Sequence, residues 1–473
     1  MNEKITPRNV DFAKWYTDVV KVAGLADYSS VKGCMIIEPN GYALWERMQI
    51  VLDDMFKKTG HTNVYLPVFI PEYLLSKEGE LVAGFAPEVA WVTEGGSNKL
   101  EERIAVRPTS ESLFSDYYSK KVKSYKDLPK LYNQWCNVVR WEKETRPFLR
   151  SREFLWQEGH TCHSSKEEAM EETSRMLEVY KEFYKEFLAI PVISGKKTEK
   201  EKFAGAEYTL TVEALMQNGV CLQGGTSHYF GQKFAKCYDI KFLNKENKFE
   251  YAYQTSWGVS TRMIAAVIMT HSDDKGLVLP PYIAPRQVSI IPIKSDDAQL
   301  LEISDKINEL LNQKGIRSYI DASDKSAGYR FAESEVNGIP VRIEVGSRDL
   351  QDNKITIVRR DTSEKKLIDL NDVYTYVDSL LRDIQRDLYS KASSNLSRRT
   401  HECENLEEVK SIMDTEPGII NACWCGNEEC EIKMKEIKGT KSRCIIENAD
   451  VSNKKCIVCG KDAKHKVAWG IQY

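Results

Sequence analysis

Val138–Thr161 reads VVRWEKETRPFLRSREFLWQEGHT. Two apolar residues lead into Arg140-Trp141-Glu142. A charged loop with one proline follows, and Arg150, Arg152, Glu153 and Phe154 open the return. The pattern predicts a strand–loop–strand hairpin that projects several arginines toward one cavity. A guanidinium binds carboxylate or phosphate through a planar fork of donors, and Glu142 and Glu153 are placed to hold such forks. On their own, the same residues also fit a solvated hairpin laced by salt bridges.

Working outward, three more stretches carry polar groups in patterns that fit ligand chemistry. Arg107-Pro108-Thr109-Ser110-Glu111 offers a hydroxyl and a carboxylate two residues apart, a pair able to receive a protonated amine; a helix N-cap at Thr109 or Ser110 is the plainer reading. Gln223-Gly224-Gly225-Thr226-Ser227-His228 pairs two glycines, which let a ligand approach the backbone, with hydrogen-bonding neighbours; an ordinary glycine turn fits equally. Thr255–His271, TSWGVSTRMIAAVIMTH, begins like a strand and continues as an apolar helix with Arg262 near its start. That arginine also fits a snorkelling side chain on a core helix.

The rest of the chain frames these stretches. Tyr42–Thr59 has helical periodicity and ends at Gly60. Val64–Ile70 reads as a strand whose Pro67 argues for an edge or interface position. Glu167–Leu188 reads as a long charged helix. Leu279–Gln287, LPPYIAPRQ, looks like a linker. After it, strands (Val288–Ile293, Ser318–Asp321, Pro340–Val345, Lys354–Arg359) alternate with helices (Ala298–Lys314, Tyr329–Asn337, Asn371–Lys391), which implies an α/β module. A polar stretch, Ser393–Glu407, leads into the tail.

Composition limits the possibilities. The chain has 473 residues, 42% hydrophobic and 29% charged, with net charge −3. That is enough apolar content for several cores and no global basic field, so RNA contact must come from local patches. No apolar run reaches membrane-spanning length, and Met1–Val10 lacks an apolar signal core, so a cytoplasmic address is expected. Of 12 cysteines, seven lie from Cys403 onward. Such clustering favours a metal over disulfides. Cys425-x4-Cys430 with Cys456-x2-Cys459 suits a tetrahedral structural zinc. Cys423 and Cys444 compete as ligands, and buried free thiols are the alternative.

Taken in order, RPTSE, RWE…RSREFLWQEGHT, QGGTSH and WGVSTR resemble the class II aminoacyl-tRNA synthetases, and within them the prolyl-tRNA synthetase family. Pro67 resembles that family's motif 1 proline at a dimer interface. Met263–Thr270 lacks the glycines of a generic motif 3, a departure common in prolyl enzymes. The resemblance covers essentially the whole chain. It implies an α+β protein: an antiparallel sheet flanked by helices (1–285), an α/β anticodon-binding domain (286–392) and a small zinc-binding domain (393–473). It implies ATP-dependent ligation of L-proline to tRNA through a prolyl-adenylate, with ATP, Mg²⁺ and structural zinc, in a homodimer that uses neither membrane nor DNA.

The implied roles follow residue by residue. Thr109 and Glu111 receive the proline amine, and Arg140 holds the carboxylate and α-phosphate together. Trp156, Phe203 and His228 wall the ring, with Ser260 beside it. Arg140, Glu142, Arg150, Arg152, Phe154, Gln223, Thr226, Ser260 and Arg262 form the ATP site. Glu335, Arg348 and Asp349 match anticodon-reading positions. The segment between Thr161 and Trp257 is too short for the large editing insertion of many bacterial relatives. The tail, VAWGIQY, is apolar for a free end, and in related enzymes the final tyrosine lies near the active site. RPTSE with QGGTSH argues against a threonyl or glycyl enzyme. Retention of Arg140, Glu142, Arg150, Thr109, Glu111 and Arg262 argues against a catalytically inactive, synthetase-like RNA-binding protein.

Overall fold

The structure, a computed structural model, describes residues 5–78 and 89–473; Met1–Lys4, the start of the polar N-terminal stretch, lie outside the described residues. Its centre is an 11-stranded sheet. From one edge the strands run Thr400–Glu402, Ile419–Trp424, His465–Ile471, Thr440–Ile445, Val192–Lys196, Tyr208–Leu215, Cys221–Gly231, Tyr253–Ser260, Glu153–His163, Lys130–Val139 and Thr62–Asn63. The outermost pair at each edge is parallel and the others are antiparallel. The expected hairpin is the pair Lys130–Val139 and Glu153–His163, in register from Val139↔Glu153 to Lys130↔Cys162.

Helices cover the sheet. Pro39–Lys58 starts with proline in its first turn, where a missing N–H costs nothing. It buries Leu44, Met48, Leu52 and Phe56, one residue per turn on one stripe. Gly60, at φ 89°, then turns the chain. Lys166–Glu182 is capped by Ser165, whose Oγ accepts from the Glu168 amide. The expected continuation to Leu188 is present as a π-helical turn, Phe183–Phe187. Both helices contribute to one apolar core with the buried helix Arg262–His271.

A separate five-stranded sheet, in the order Ser318–Ile320, Val288–Pro292, Val341–Val345, Lys354–Arg359, Lys365–Asp369, carries the helices Ala298–Gln313, Ala327–Val336 and Val373–Arg398. This is the expected α/β module.

Three local expectations need correction. Val64–Ile70 is not one strand. Thr62–Asn63 pairs with Lys130–Val139, and Phe69–Pro71 pairs with Asn98–Val106. Between them Val64 N still reaches Asn133 O, but the Leu66 amide is satisfied by the Gln134 side chain. Pro67 has no amide with which to continue a ladder. Leu279–Gln287 is no loose linker either: Leu279, Ile283 and Ala284 are buried, and Arg317 donates to the carbonyls of Ala284 and Pro281 at 2.9 Å each. Ser393–Glu407 is not an irregular connector. The helix from Val373 runs to Arg398, burying Ala392, and Thr400–Glu402 then joins the large sheet. The cysteine-rich tail is thus built onto the central sheet, through Ile445↔Lys196.

Candidate active site

Strand alternation builds the floor of a cavity of about 280 Å³. Side chains two residues apart share a face, so Phe154, Trp156, Glu158 and His160 all point into it. The neighbouring registers extend that face. Ser260 lies opposite Trp156 and Ser256 opposite His160; on the next strands His228 pairs with Ser256, and Thr209 with His228. Glu158, His160, Thr209 and Ser256 were not singled out in the sequence, although period-two alternation from Phe154 and Trp156 would have found the first two.

Two carboxylates, Glu111 and Glu158, line the cavity. Arg107, wholly buried, donates from Nη1 to Leu66 O and from Nε to Asn137 O, each at 2.8 Å, and so anchors the turn into the helix Glu111–Lys121. Ser110 occupies the N-cap position, but its hydroxyl makes no cap bond and donates instead to Glu158. Thr109 Oγ1 donates to Glu111 Oε2, and Ser256 Oγ donates to Glu111 Oε1 at 3.4 Å. Glu158 lies close by, bonded to His160 Nε2 and Gln134 Nε2 at 3.0 Å each. Burial pushes the Glu158 carboxyl up, but the bonds from His160, Ser110 and Gln134 and the charge of His160 outweigh it, and the net shift is down.

Two arginines also line the cavity. Arg140 donates from Nε to Pro108 O at 3.1 Å and lies 5.6 and 5.3 Å from the ring centres of Phe154 and Trp156. Arg262 donates from Nε and Nη2 to Leu149 O at 3.3 and 3.1 Å, and its amide reaches Ser260 Oγ at 3.2 Å. Burial, and then repulsion from Arg140 and Arg150, lowers the Arg262 pKa. Arg140 and Arg262 thus bring positive charge to the cavity wall, which suits an anionic ligand.

The structure brings Thr109, Glu111, Arg140, Phe154, Trp156, Phe203, Gln223, Thr226, His228, Ser260 and Arg262 around this cavity. It leaves Glu142, Arg150 and Arg152 off the lining. Arg150 Nε lies 3.9 Å from Glu142 Oε2 and, with Arg146, Arg262 and Tyr473, lines an adjoining cavity of about 210 Å³. Arg152 turns away: Nη1 donates to Lys32 O at 2.8 Å, Nε donates to Glu142 O at 3.1 Å, and the guanidinium lies 4.4 Å from the centre of the Trp141 ring. Tyr473, the chain's last residue, accepts at its hydroxyl from Arg146 Nη1 at 2.8 Å.

The paired glycines line the cavity and also make room for a helix behind the sheet. They sit in the strand Cys221–Gly231, not in a turn. A Cβ on Gly224 would meet the Tyr184 ring and hydroxyl at 2.7 Å, and one on Gly225 would meet Val259 Cγ1 at 2.7 Å. They let the covering helix pack closely against the sheet.

His228 closes the aromatic wall, its ring centre 5.0 Å from that of Phe203. Its nitrogens contact Thr209 Oγ1 at 2.8 Å and Thr226 Oγ1 at 3.0 Å. Burial, with His160 adding, pushes its pKa down to about 3; burial also leads for His163 and His271, at about 4 each. All three are neutral in the folded chain at pH 6, whereas the unfolded chain protonates them below about 6.5. The unfolded state then holds more protons, so stability is full above pH 6.5 and is lost as pH falls toward 4. Between pH 6.5 and 5 the unfolding free energy should drop by roughly 1.4 kcal/mol per pH unit for each histidine. Denaturant titrations across that range check this, and His228→Gln should remove one histidine's share of the slope. A flat profile would contradict the burial account.

Away from the cavity, Glu335 ends the helix Ala327–Val336 and contacts Arg342 at 3.2 Å. Arg348 and Asp349 lie on the short helix Ser347–Gln351, Arg348 exposed and Asp349 accepting from Thr356 Oγ1 at 2.9 Å. In the tail, the sulfurs of Cys425, Cys430, Cys456 and Cys459 all lie within 4.8 Å of one another. Cys423 and Cys444 stand outside the set, and Cys444 packs with Cys221 in another apolar cluster. The Lys461 amide pulls the Cys459 thiol down to about 7. Four thiols at that spacing fit a tetrahedral soft-metal site with no open position.

Known proteins share this organisation. Residues 91–271 match the tRNA synthetase class II core domain (G, H, P, S and T), residues 287–380 the anticodon binding domain, and residues 406–473 the prolyl-tRNA synthetase C-terminal domain. Proline–tRNA ligase of Clostridium novyi is 54% identical over 471 residues, covering 100% of this chain and 98% of that one. Proline–tRNA ligase of Ruminiclostridium cellulolyticum is 54% identical with the same coverage, and Proline–tRNA ligase 2 of Bacillus cereus is 54% identical over 100% of this chain and 99% of its own.

Proposed function

The chain belongs to the prolyl-tRNA synthetase family, and on that premise we propose how its cavity performs the ligation of proline to tRNA. The observation that carries the reading is a single cavity lined by Glu111 together with Arg140 and Arg262. Proline offers a secondary ammonium, a carboxylate and a small apolar ring, and each meets its complement here.

Thr109 and Glu111 take the ammonium; Trp156, Phe203 and His228 enclose the ring, with Ser260 beside it. Arg140 holds the proline carboxylate against the α-phosphate of ATP, which supplies orientation and offsets charge as the new bond forms. The carboxylate oxygen attacks the α-phosphorus, the bond to the β-phosphate breaks, and pyrophosphate leaves. The ribose hydroxyl at the tRNA end then attacks the prolyl carbonyl, and AMP departs. Phe154 stacks on adenine, Arg150 and Arg262 meet phosphates, and Gln223, Thr226 and Ser260 complete the nucleotide site. Glu142 holds Arg150. Arg152, bonded to backbone carbonyls, acts by keeping the loop in place. Class II synthetases use ATP with Mg²⁺, and the magnesium ion adds charge neutralisation on the phosphates.

Residues 1–285 serve as the catalytic unit, 286–392 as the anticodon-reading unit with Glu335, Arg348 and Asp349, and 393–473 as the zinc-bearing unit. Two chains associate through the Pro67 region, in the cytoplasm where tRNA is charged, and a mischarged tRNA is not hydrolysed in cis. Aminoacylation tests the function: with ATP and Mg²⁺ the chain should esterify labelled proline onto a transcript carrying a proline anticodon. A transcript left uncharged would refute it.

Structural zinc on Cys425, Cys430, Cys456 and Cys459 would stabilise the tail by linking binding to folding. One zinc per chain is expected by metal analysis, and a strong chelator should lower the melting temperature, since metal bound only by the folded tail adds its binding free energy to stability. Cys430→Ser should give the same destabilisation without chelator. A full zinc content in that variant, with unchanged melting, would count against these ligands.

A further inference from the structure

Behind the cavity floor lies a buried ionic triad that none of the roles above uses. Lys197 follows the strand Val192–Lys196 and lines the cavity; its Nζ bonds to Glu213 Oε1 at 2.6 Å. Glu213 also accepts from Thr211 Oγ1 at 2.9 Å and lies directly across from Gln223 on the next strand. On the far side of Glu213 stands Arg443, from the cysteine-bearing tail, with Nη1 at 3.5 Å from Glu213 Oε2. The side chains of Arg443 and Glu213 are fully buried and that of Lys197 nearly so.

Two cations therefore share one carboxylate: Lys197 (+1) and Arg443 (+1) against Glu213 (−1) leave a net +1. A second buried carboxylate at this junction, Glu431, accepts from the hydroxyls of Thr198 and Ser442; it keeps its charge, but it forms no ion pair with Lys197 or Arg443 among the described residues. Lys197 is the member of the triad that reaches the cavity, beside Gln223. Arg443 is not placed against Glu213 by its own bonds. Its nearest other partners are long, Gln472 Oε1 at 3.3 Å and Lys441 O at 3.5 Å. Strand pairing of Thr440–Ile445 with Val192–Lys196 carries it in.

We propose that Arg443 is a positioning residue for the reaction: by sharing Glu213 it leaves the Lys197 ammonium available to an anionic oxygen of ATP at the Gln223 end of the cavity. The tail then acts on catalysis through charge as well as through fold. Without Arg443, Glu213 is left to Lys197 alone and the local field falls by one positive charge. This rests on the adenylate-forming reading above.

The test is steady-state pyrophosphate exchange, with ATP and proline varied separately. Arg443→Met should raise the KM for ATP about tenfold, the scale of one charged hydrogen bond, and leave the KM for proline within about twofold. Arg443→Lys, which keeps the charge, should restore most of the ATP affinity. Lys197→Met lies outside the tail and should reproduce the rise, which decides the matter even where Arg443→Met does not fold. A purely structural role would lower the active fraction, and hence kcat, without separating the two KM values. An unchanged KM for ATP in Lys197→Met, or equal rises for ATP and proline in Arg443→Met, would overturn the proposal. Absence of proline-dependent exchange in the unaltered chain would instead overturn the underlying reading.

Discussion

Arg140→Lys is expected to slow proline-dependent pyrophosphate exchange by roughly 100-fold or more, about 3 kcal/mol, the scale of removing one preorganised donor from a developing charge. The reason is geometric. Arg140 sits between the Pro108 carbonyl and the rings of Phe154 and Trp156, so its plane is set before any ligand arrives. A lysine keeps the charge but offers a point instead of a fork, and it cannot bond Pro108 and hold two ligand oxygens in one plane. Arg262 cannot replace it, because its Nε and Nη2 are already turned to Leu149 O. The loss should fall on kcat as well as on both KM values. Near-normal exchange would remove Arg140 from the reaction.

Glu111→Gln is the second large effect. Taking one partner from a buried charge pair commonly costs 3–5 kcal/mol, because the other charge stays buried and unanswered. Here that charge is the proline ammonium. The catalytic efficiency for proline should fall by about 100-fold or more, carried mainly by its KM, with the KM for ATP little changed. Glutamine keeps one acceptor oxygen, and the hydroxyl that faces its amide nitrogen can rotate to accept instead, so the local fold should survive. Glu158 is no substitute, since His160, Gln134 and Ser110 already occupy its oxygens. A proline KM that hardly moves would place the ammonium elsewhere.

How far the sequence alone carries can be judged from particular residues. The hairpin was legible because alternation and charge agree along Val138–Thr161, whereas its register, Val138↔Phe154 and Cys136↔Trp156, is seen only in the fold. The acidic and basic groups were legible as residue types, but Ser110 was not. A serine at a helix start reads as a cap, and only the fold shows its hydroxyl turned to Glu158. Gly224 and Gly225 mark a tight approach, yet whether a ligand or Tyr184 approaches is decided by a helix 40 residues away in sequence from the glycine it touches. Arg152 resembles its neighbours in type, and its partners Lys32 O and Glu142 O belong to backbone that no pattern exposes. The junction of the tail with the central sheet was hidden for a similar reason: one long-range bridge, Ile445↔Lys196, decides it, and an edge strand does not declare which neighbour it will meet.

The most direct test of the account is ATP–pyrophosphate exchange by the purified chain with each amino acid in turn. The account predicts strong exchange with proline and only weak exchange with small near-isosteres such as cysteine or alanine, lower by about 10–200-fold as a small apolar pocket allows. Exchange that is absent with proline, or greater with another amino acid, would contradict it.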